Sequence, residues 1–214
     1  MNKKLYVVGG YDNSVDWVLD MGFEYTNDIN KSHCVFFVGG SDVSPELYGE
    51  KKGSRTYCDK ERDIKEVELF TISKNIPKIG VCRGGQFLTI MNGFKLVQDS
   101  RHPGYHNIDT FDGKTLKASS THHQQFLFIP NNLRTPSKST LIGWANKLSD
   151  QHLDGKDIDY NFDINYKEPE IVLYESNEHG KSLAIQMHPE FFEFEHPTVK
   201  YLQNLVKTHL FENV

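Results

Sequence analysis

An α/β fold, three-layered, with a mostly parallel central sheet and helices on both faces, is predicted by three features of the sequence. Short unbroken apolar runs recur at residues 5–8, 34–38 and 78–81. Strands without polar alternation are those buried on both faces, as parallel strands are. Segments with apolar residues at helical spacing stand between the runs. Each run also ends in a glycine-containing turn, at Gly9-Gly10, Gly39-Gly40 and Cys82-Arg83-Gly84, which suits a strand handing over to a loop at a sheet edge.

The elements follow in order. Residues 14–21 carry Val15, Val18 and Leu19 on one helical face, with Gly22 placed as a C-cap. Residues 62–73 read as a helix burying Ile64, Val67, Phe70 and Thr71. Pro77 introduces the third strand, and helical spacing restarts over 84–91. After Asn92-Gly93 the pattern changes to a small accessory β region, with short strands at 95–97 and 114–119. Residues 171–175 and 182–187 flank Asn177-Glu178-His179-Gly180, a hairpin connection. Residues 149–168 are acidic and poor in apolar side chains, which predicts an exposed loop or peripheral hairpin. Its Asp-rich run lacks EF-hand spacing. Residues 198–211 read as a closing amphipathic helix.

Composition bounds the function. The chain has 214 residues, 37% hydrophobic and 25% charged, with formal net charge −5. One domain over 1–214 is the expectation, large enough to bury a core without a disulfide or metal staple. No basic excess points to nucleic acid or an acidic membrane. Residues 151–214 hold 5 basic against 12 acidic side chains, so the acidity is concentrated there. No run approaches the ~18 apolar residues of a membrane span, and the four residues after Lys4 are too few for a signal-peptide core. Three cysteines, an odd and sparse set, predict a reducing cytoplasm. Among ten histidines only His102/His106 have helical metal spacing, and Pro103-Gly104 between them breaks a helix. No metal and no cofactor are expected.

The sharpest local signal is Gly80-Val81-Cys82-Arg83-Gly84-Gly85-Gln86, at a strand-to-helix junction. A nucleophile elbow needs small residues two before and two after the nucleophile, and Gly80 and Gly84 supply them. The turn would expose the Cys82 sulfur near a helix N-terminus, where backbone N–H groups and the helix dipole favour a thiolate. The Arg83 N–H would be one oxyanion donor. Near the other end, His188-Pro189-Glu190 offers a base and a carboxylate to orient it. Cys34 falls in a strand and Cys58 in a polar loop, neither beside a His-bearing motif, so both read as bystanders.

Together and in this order, the two motifs resemble the class I glutamine amidotransferase superfamily, whose flavodoxin-like fold carries G-x-C-x-G-x-Q at an elbow and H-P-E near the C-terminus. Gly39-Gly40-Ser41-Asp42-Val43-Ser44-Pro45-Glu46-Leu47-Tyr48-Gly49 resembles the G-G-x-D-x-x-P-x-x-Y-G loop of its γ-glutamyl-γ-aminobutyrate hydrolase branch, as do Arg62-Asp63 and Arg83. Ala118-Ser119-Ser120-Thr121-His122-His123-Gln124 resembles that branch's V-N-S-x-H-H-Q segment, with Ala for Val and Ser for Asn. The region after Gly93 and the acidic 149–168 segment depart from the branch pattern.

The resemblance implies a Cys82–His188–Glu190 triad that hydrolyses a γ-glutamyl amide through a γ-glutamyl thioester. It implies oxyanion donors at Arg83 and at Gly39 and Gly40, each lowering the barrier by about 3–4 kcal/mol. It implies contacts from Gln86, Ser120 and His122 to the glutamyl group. The substrate would be glutamine or another small γ-glutamyl compound. No synthetase segment follows in this sequence, so an ammonia-supplying role would need a separate synthetase partner. A dormant binding module on the same fold is the third reading, and self-association is left open.

Overall fold

The computed structural model describes residues 3–101, 104–128, 137–163 and 165–212. The strands are β1 (Lys4–Val8), β2 (Glu24–Thr26), β3 (Cys34–Phe37), β4 (Lys78–Val81), β5 (Lys95–Val97), β6 (Asp99–Ser100), β7 (Tyr105–Thr110), β8 (Thr115–Ser119), β9 (Gln125–Leu127), β10 (Ser137–Ala145), β11 (His152–Leu153), β12 (Pro169–Ser176) and β13 (Gly180–Ile185). The α-helices are α1 (Asp16–Leu19), α2 (Lys60–Ile72), α3 (Arg83–Met91) and α4 (Pro197–Leu205).

A nine-stranded sheet runs in the order β2-β1-β3-β4-β13-β12-β10-β7-β8. From β2 to β13 every pairing is parallel. From β13 to β8 every pairing is antiparallel. The accessory strands therefore extend the main sheet, and β11-β6 and β5-β9 form two small ladders beside it.

Period-two alternation sends each strand's side chains to two cores. Leu5, Val7, Cys34, Phe36, Ile79, Val81, Leu183 and Ile185 pack with Trp17 and Val18 of α1 and Leu202 and Leu205 of α4. On the opposite face Val35, Phe37, Val172, Tyr174 and Ala184 pack with Phe70 of α2 and Phe87 and Leu88 of α3. Helices thus cover both faces, as the unbroken apolar runs require.

Several expectations shift in detail. The predicted helix over 14–21 is a 3-10 turn, Asn13–Val15, followed by the single turn of α1. The predicted closing helix is α4 continued by a π-helical stretch, Val206–Phe211. Helix α2 buries Asp63, Glu66 and Phe70, while Ile64 stays 70% exposed. Charge partners, not apolar periodicity, decide that face. The middle of the acidic segment is exposed, as expected, but its ends are buried at His152 and Glu168. Its aspartates cap local turns, Asp154 accepting from Lys156 N and Ile158 N and Asp163 from Asn165 N.

Strands β3, β4 and β13 are neighbours and parallel. Their carboxyl ends therefore open side by side, delivering Gly39-Gly40, Cys82 and His188 to one sheet edge. That edge is where open α/β sheets place their sites.

Candidate active site

Cys82 sits between β4 and α3 with φ 52 and ψ −115, a strained turn for a residue with a side chain. Its N–H donates to the Ile185 carbonyl of β13 at 2.7 Å, and its carbonyl accepts from Gln86 N at 3.0 Å. The turn is tight enough that a Cβ on Gly80 would collide with the Gly84 carbonyl. A Cβ on Gly84 would collide with the Phe37 carbonyl, and one on Gly85 would come within 2.7 Å of the Ile185 oxygen. The glycines expected from the motif are thus required by close backbone approach. Arg83 opens α3, so its N–H belongs to the first turn, which has no partner within the helix.

His188 follows β13 and faces the sulfur. Its Nδ1 lies 2.7 Å from Glu190 Oε1, which leaves the other ring nitrogen to serve Cys82. Burial opposes the imidazolium, but hydrogen bonds with Cys82 and Glu190 outweigh it and push the His188 pKa up to about 10. The ring stacks on Phe191 at 5.0 Å between centroids. Ser119 grips the His188 backbone on both sides: its hydroxyl accepts from His188 N at 3.1 Å and donates to His188 O at 2.9 Å.

The Gly39-Gly40 loop closes over the pair. A Cβ on Gly39 would lie 3.5 Å from His188 Cε1 and 3.8 Å from Cys82 Cβ. Gly40 has φ +139, and a Cβ there would collide with the Arg62 guanidinium. Arg62 donates to the carbonyls of Val38 at 3.0 Å and Gly39 at 2.9 Å, and to Glu66 at 2.8 Å. The Arg83 side chain turns away from the cavity. It is 1% exposed and ion-paired with Asp63 and Glu66. Burial and the neighbouring Arg62 charge pull its pKa down to about 10.

A cavity of about 390 Å³ opens beside Cys82, lined by Gly40, Asp42, Gln86, His122, His123 and His188 among others. Gln86 Nε2 donates to the Gln124 carbonyl at 2.8 Å, and His122 Nδ1 lies 2.9 Å from that same carbonyl. Ser120 is not part of this lining, and its N–H donates to Gly104 O at 2.7 Å. The fold thus gathers Cys82, His188, Glu190, Gly39, Gly40, Gln86 and His122, and sets the Arg83 side chain and Ser120 apart. Cys34 is fully buried, with its thiol pushed up to about 12 by burial. His106 pairs with the buried Glu170 at 3.2 Å, while His102 and Pro103 lie outside the described residues. Among the described residues, no group of three or more His, Cys, Asp or Glu could hold a metal, and no helix is long and apolar enough to cross a membrane.

Residues 18–190 match the peptidase C26 family. The chain belongs to that family. The C26 chain is 31% identical over 173 residues to YvdE, a glutamine amidotransferase-like protein of Lactococcus lactis subsp. lactis, covering 76% of this chain and 68% of YvdE. It is 35% identical over 78 residues to protein NtpR of Enterococcus hirae, covering 35% of this chain and 31% of NtpR. In fold it is similar to PurLQS from Thermotoga maritima, with TM-score 0.62 and 15% identity over 98% of this chain and 100% of that one. It is also similar to a glutamine amidotransferase of the same organism, with TM-score 0.57 and 14% identity over 100% and 86% of the two chains. These likenesses place the C26 chain in the class I glutamine amidotransferase superfamily.

Sequence reasoning missed Ser119 and Glu66. Ser119 stands in a segment read as substrate-facing, yet nothing local marks the first of two serines as the one that grips His188. Glu66 gave a signal only in its spacing, four residues after Arg62 on the helix.

Proposed function

We propose that this protein hydrolyses a γ-glutamyl amide bond with Cys82 as nucleophile, His188 as acid and base, and Glu190 as orienter. The observation that carries the reading is the single chain of contacts from a strained elbow cysteine to His188 and on to Glu190 at 2.7 Å.

Cys82 enters as thiolate and His188 as imidazolium. The sulfur attacks the γ-carbonyl carbon, and the carbonyl oxygen gains negative charge against the N–H groups of Arg83 and Gly40. The C–N bond breaks as His188 gives its proton to the departing amine, leaving a γ-glutamyl thioester. His188 then takes a proton from water, whose oxygen attacks the thioester carbon. The C–S bond breaks, releasing glutamate and restoring the thiolate. Glu190 holds Nδ1 throughout, so the nitrogen facing the sulfur carries the proton in transit. Gln86 and His122 hold the Gln124 carbonyl and so shape the wall against which the glutamyl group would lie.

The test is glutamate release from glutamine and a panel of γ-glutamyl amines and peptides. Cys82→Ala should lower turnover by at least about 10³-fold while circular dichroism stays unchanged. Retained turnover in that variant would overturn the reading. Activity that appears only with added cell extract would replace it with delivery of ammonia to a synthetase partner.

A further inference from the structure

We propose that helix α2, through Arg62 and Glu66, is the positioning element that aims the oxyanion hole, an inference that rests on the γ-glutamyl amidase reading above. The two proposed donors come from different parts of the chain: Gly40 follows β3, and Arg83 follows the elbow cysteine. A hole of two N–H groups works only if both point at one spot, within a few tenths of an ångström of the developing oxyanion. Neither loop fixes that relation by itself.

Helix α2 touches both. From its first turn, Arg62 reaches the carbonyls of Val38 and Gly39 at 3.0 and 2.9 Å. In a trans peptide the carbonyl and the following N–H point in opposite directions. Drawing the Gly39 carbonyl toward Arg62 therefore turns the Gly40 N–H the other way, into the cavity that Gly40 lines with Cys82. One turn further along α2, Glu66 divides its carboxylate. One oxygen takes Arg62 Nε at 2.8 Å and the other pairs with Arg83. Asp63 also holds Arg83, and its second oxygen accepts from Ser44 N at 3.0 Å, beyond the glycine loop. Glu66 thus links the arginine that turns the Gly40 peptide to the arginine whose own N–H is the second donor.

The arrangement explains two sequence features. The residue after the nucleophile is an arginine with no access to substrate, because its side chain is the tether. Helix α2 buries two carboxylates where apolar residues would ordinarily face a sheet, because they receive that tether. Gly40 has to be glycine on this account, since the guanidinium occupies the space a Cβ would fill.

Interactions made only with the developing oxyanion lower kcat and leave KM nearly unchanged when removed. Arg62→Lys keeps the positive charge near Cys82 but cannot span two carbonyls and Glu66 at once. It should lower kcat about 10- to 100-fold on the best γ-glutamyl substrate, with KM within about twofold. The rate of Cys82 alkylation by iodoacetamide, which forms no oxyanion, should stay within about twofold of wild type. Arg62→Met, which removes the charge as well, should lower kcat further. Wild-type, Cys82-dependent turnover with an unchanged kcat in Arg62→Lys would overturn this proposal alone. So would a kcat loss matched by an equal loss of alkylation, which marks general collapse of the site. A wild type that releases no glutamate from any γ-glutamyl compound would overturn the amidase reading and this proposal together.

Discussion

Along β1, β3, β4 and β13 the side chains on both faces are overwhelmingly apolar, while the sheet beyond β13 buries charge. Lys78 is the main exception in the parallel part, its Nζ donating to three backbone carbonyls at 2.9 Å. Beyond β13, Glu168 and Glu170 are fully buried. Glu168 accepts from Gln125 at 2.5 Å, from Ser149 N and Oγ at 2.9 and 2.8 Å, and faces His152 Nε2 at 2.7 Å. The parallel part is specified by shape: apolar volume, and glycines where backbones cross. The antiparallel part is specified by polar pairing, where each buried group depends on partners far away in sequence. The candidate nucleophile belongs to the first part, and one stretch of its cavity wall, residues 121–124 after β8, comes from the second.

The largest expected effect tests specification by shape. In Gly84→Ala the new methyl would meet the Phe37 carbonyl of β3, and both backbones are fixed by the sheet and the elbow. A loss above about 4 kcal/mol, or no cooperatively folded protein, is expected from urea unfolding. A midpoint close to wild type would break the comparison at its strongest point.

The same contrast decides what was legible in the sequence. Strands β1, β3 and β4 and the β12–β13 hairpin stood out as unbroken apolar runs with turn residues between them. Cys82, with its flanking glycines, and His188-Pro189-Glu190 stood out because those local patterns have mechanical reasons. Strands β7 and β10 did not, since both mix polar and apolar side chains and β10 pairs with β7 and β12, which are distant in sequence. The buried face of α2 was misread because Asp63 and Glu66 are buried by ion pairs with Arg83, 20 and 17 residues further on. Periodicity reports apolar burial and is blind to burial that charge partners permit.

A second, intermediate test sets one small change in each part side by side. Glu168→Gln keeps the side-chain volume but turns an N–H group toward donors, leaving at least one buried donor unmatched. It should cost about 1–3 kcal/mol. Ile185→Val in β13 removes one methylene from a fully buried apolar site and should cost about 0.5–1.5 kcal/mol. If the isosteric polar change proves the cheaper of the two in urea unfolding, polar pairing does not specify the antiparallel part.

The smallest expected effect lies where the two parts meet. His123 sets Nε2 3.1 Å from Asp42, in the loop after β3, and Nδ1 3.4 Å from Asp99 in β6. Both ring nitrogens face carboxylates, so both contacts are satisfied only by the imidazolium. The hydrogen bond to Asp42 chiefly raises the His123 pKa above its ordinary value, and burial opposes it more weakly. A raised pKa means the folded state holds the proton more tightly. The stabilisation is therefore fully present below the ordinary histidine value and is lost as pH rises through the folded value. With the side chain 38% exposed, solvent screens the bridge, and its worth is at most about 1 kcal/mol. Urea midpoints measured at about pH 5.5 and about pH 8 should fall more in wild type than in His123→Gln. His188 titrates in both proteins, so subtracting the two curves removes its contribution. Parallel curves would show that the imidazolium does not tie the two parts together, and would leave that role to hydrogen bonds such as that of Ser100 N to the His123 carbonyl and that of Gln86 to the Gln124 carbonyl.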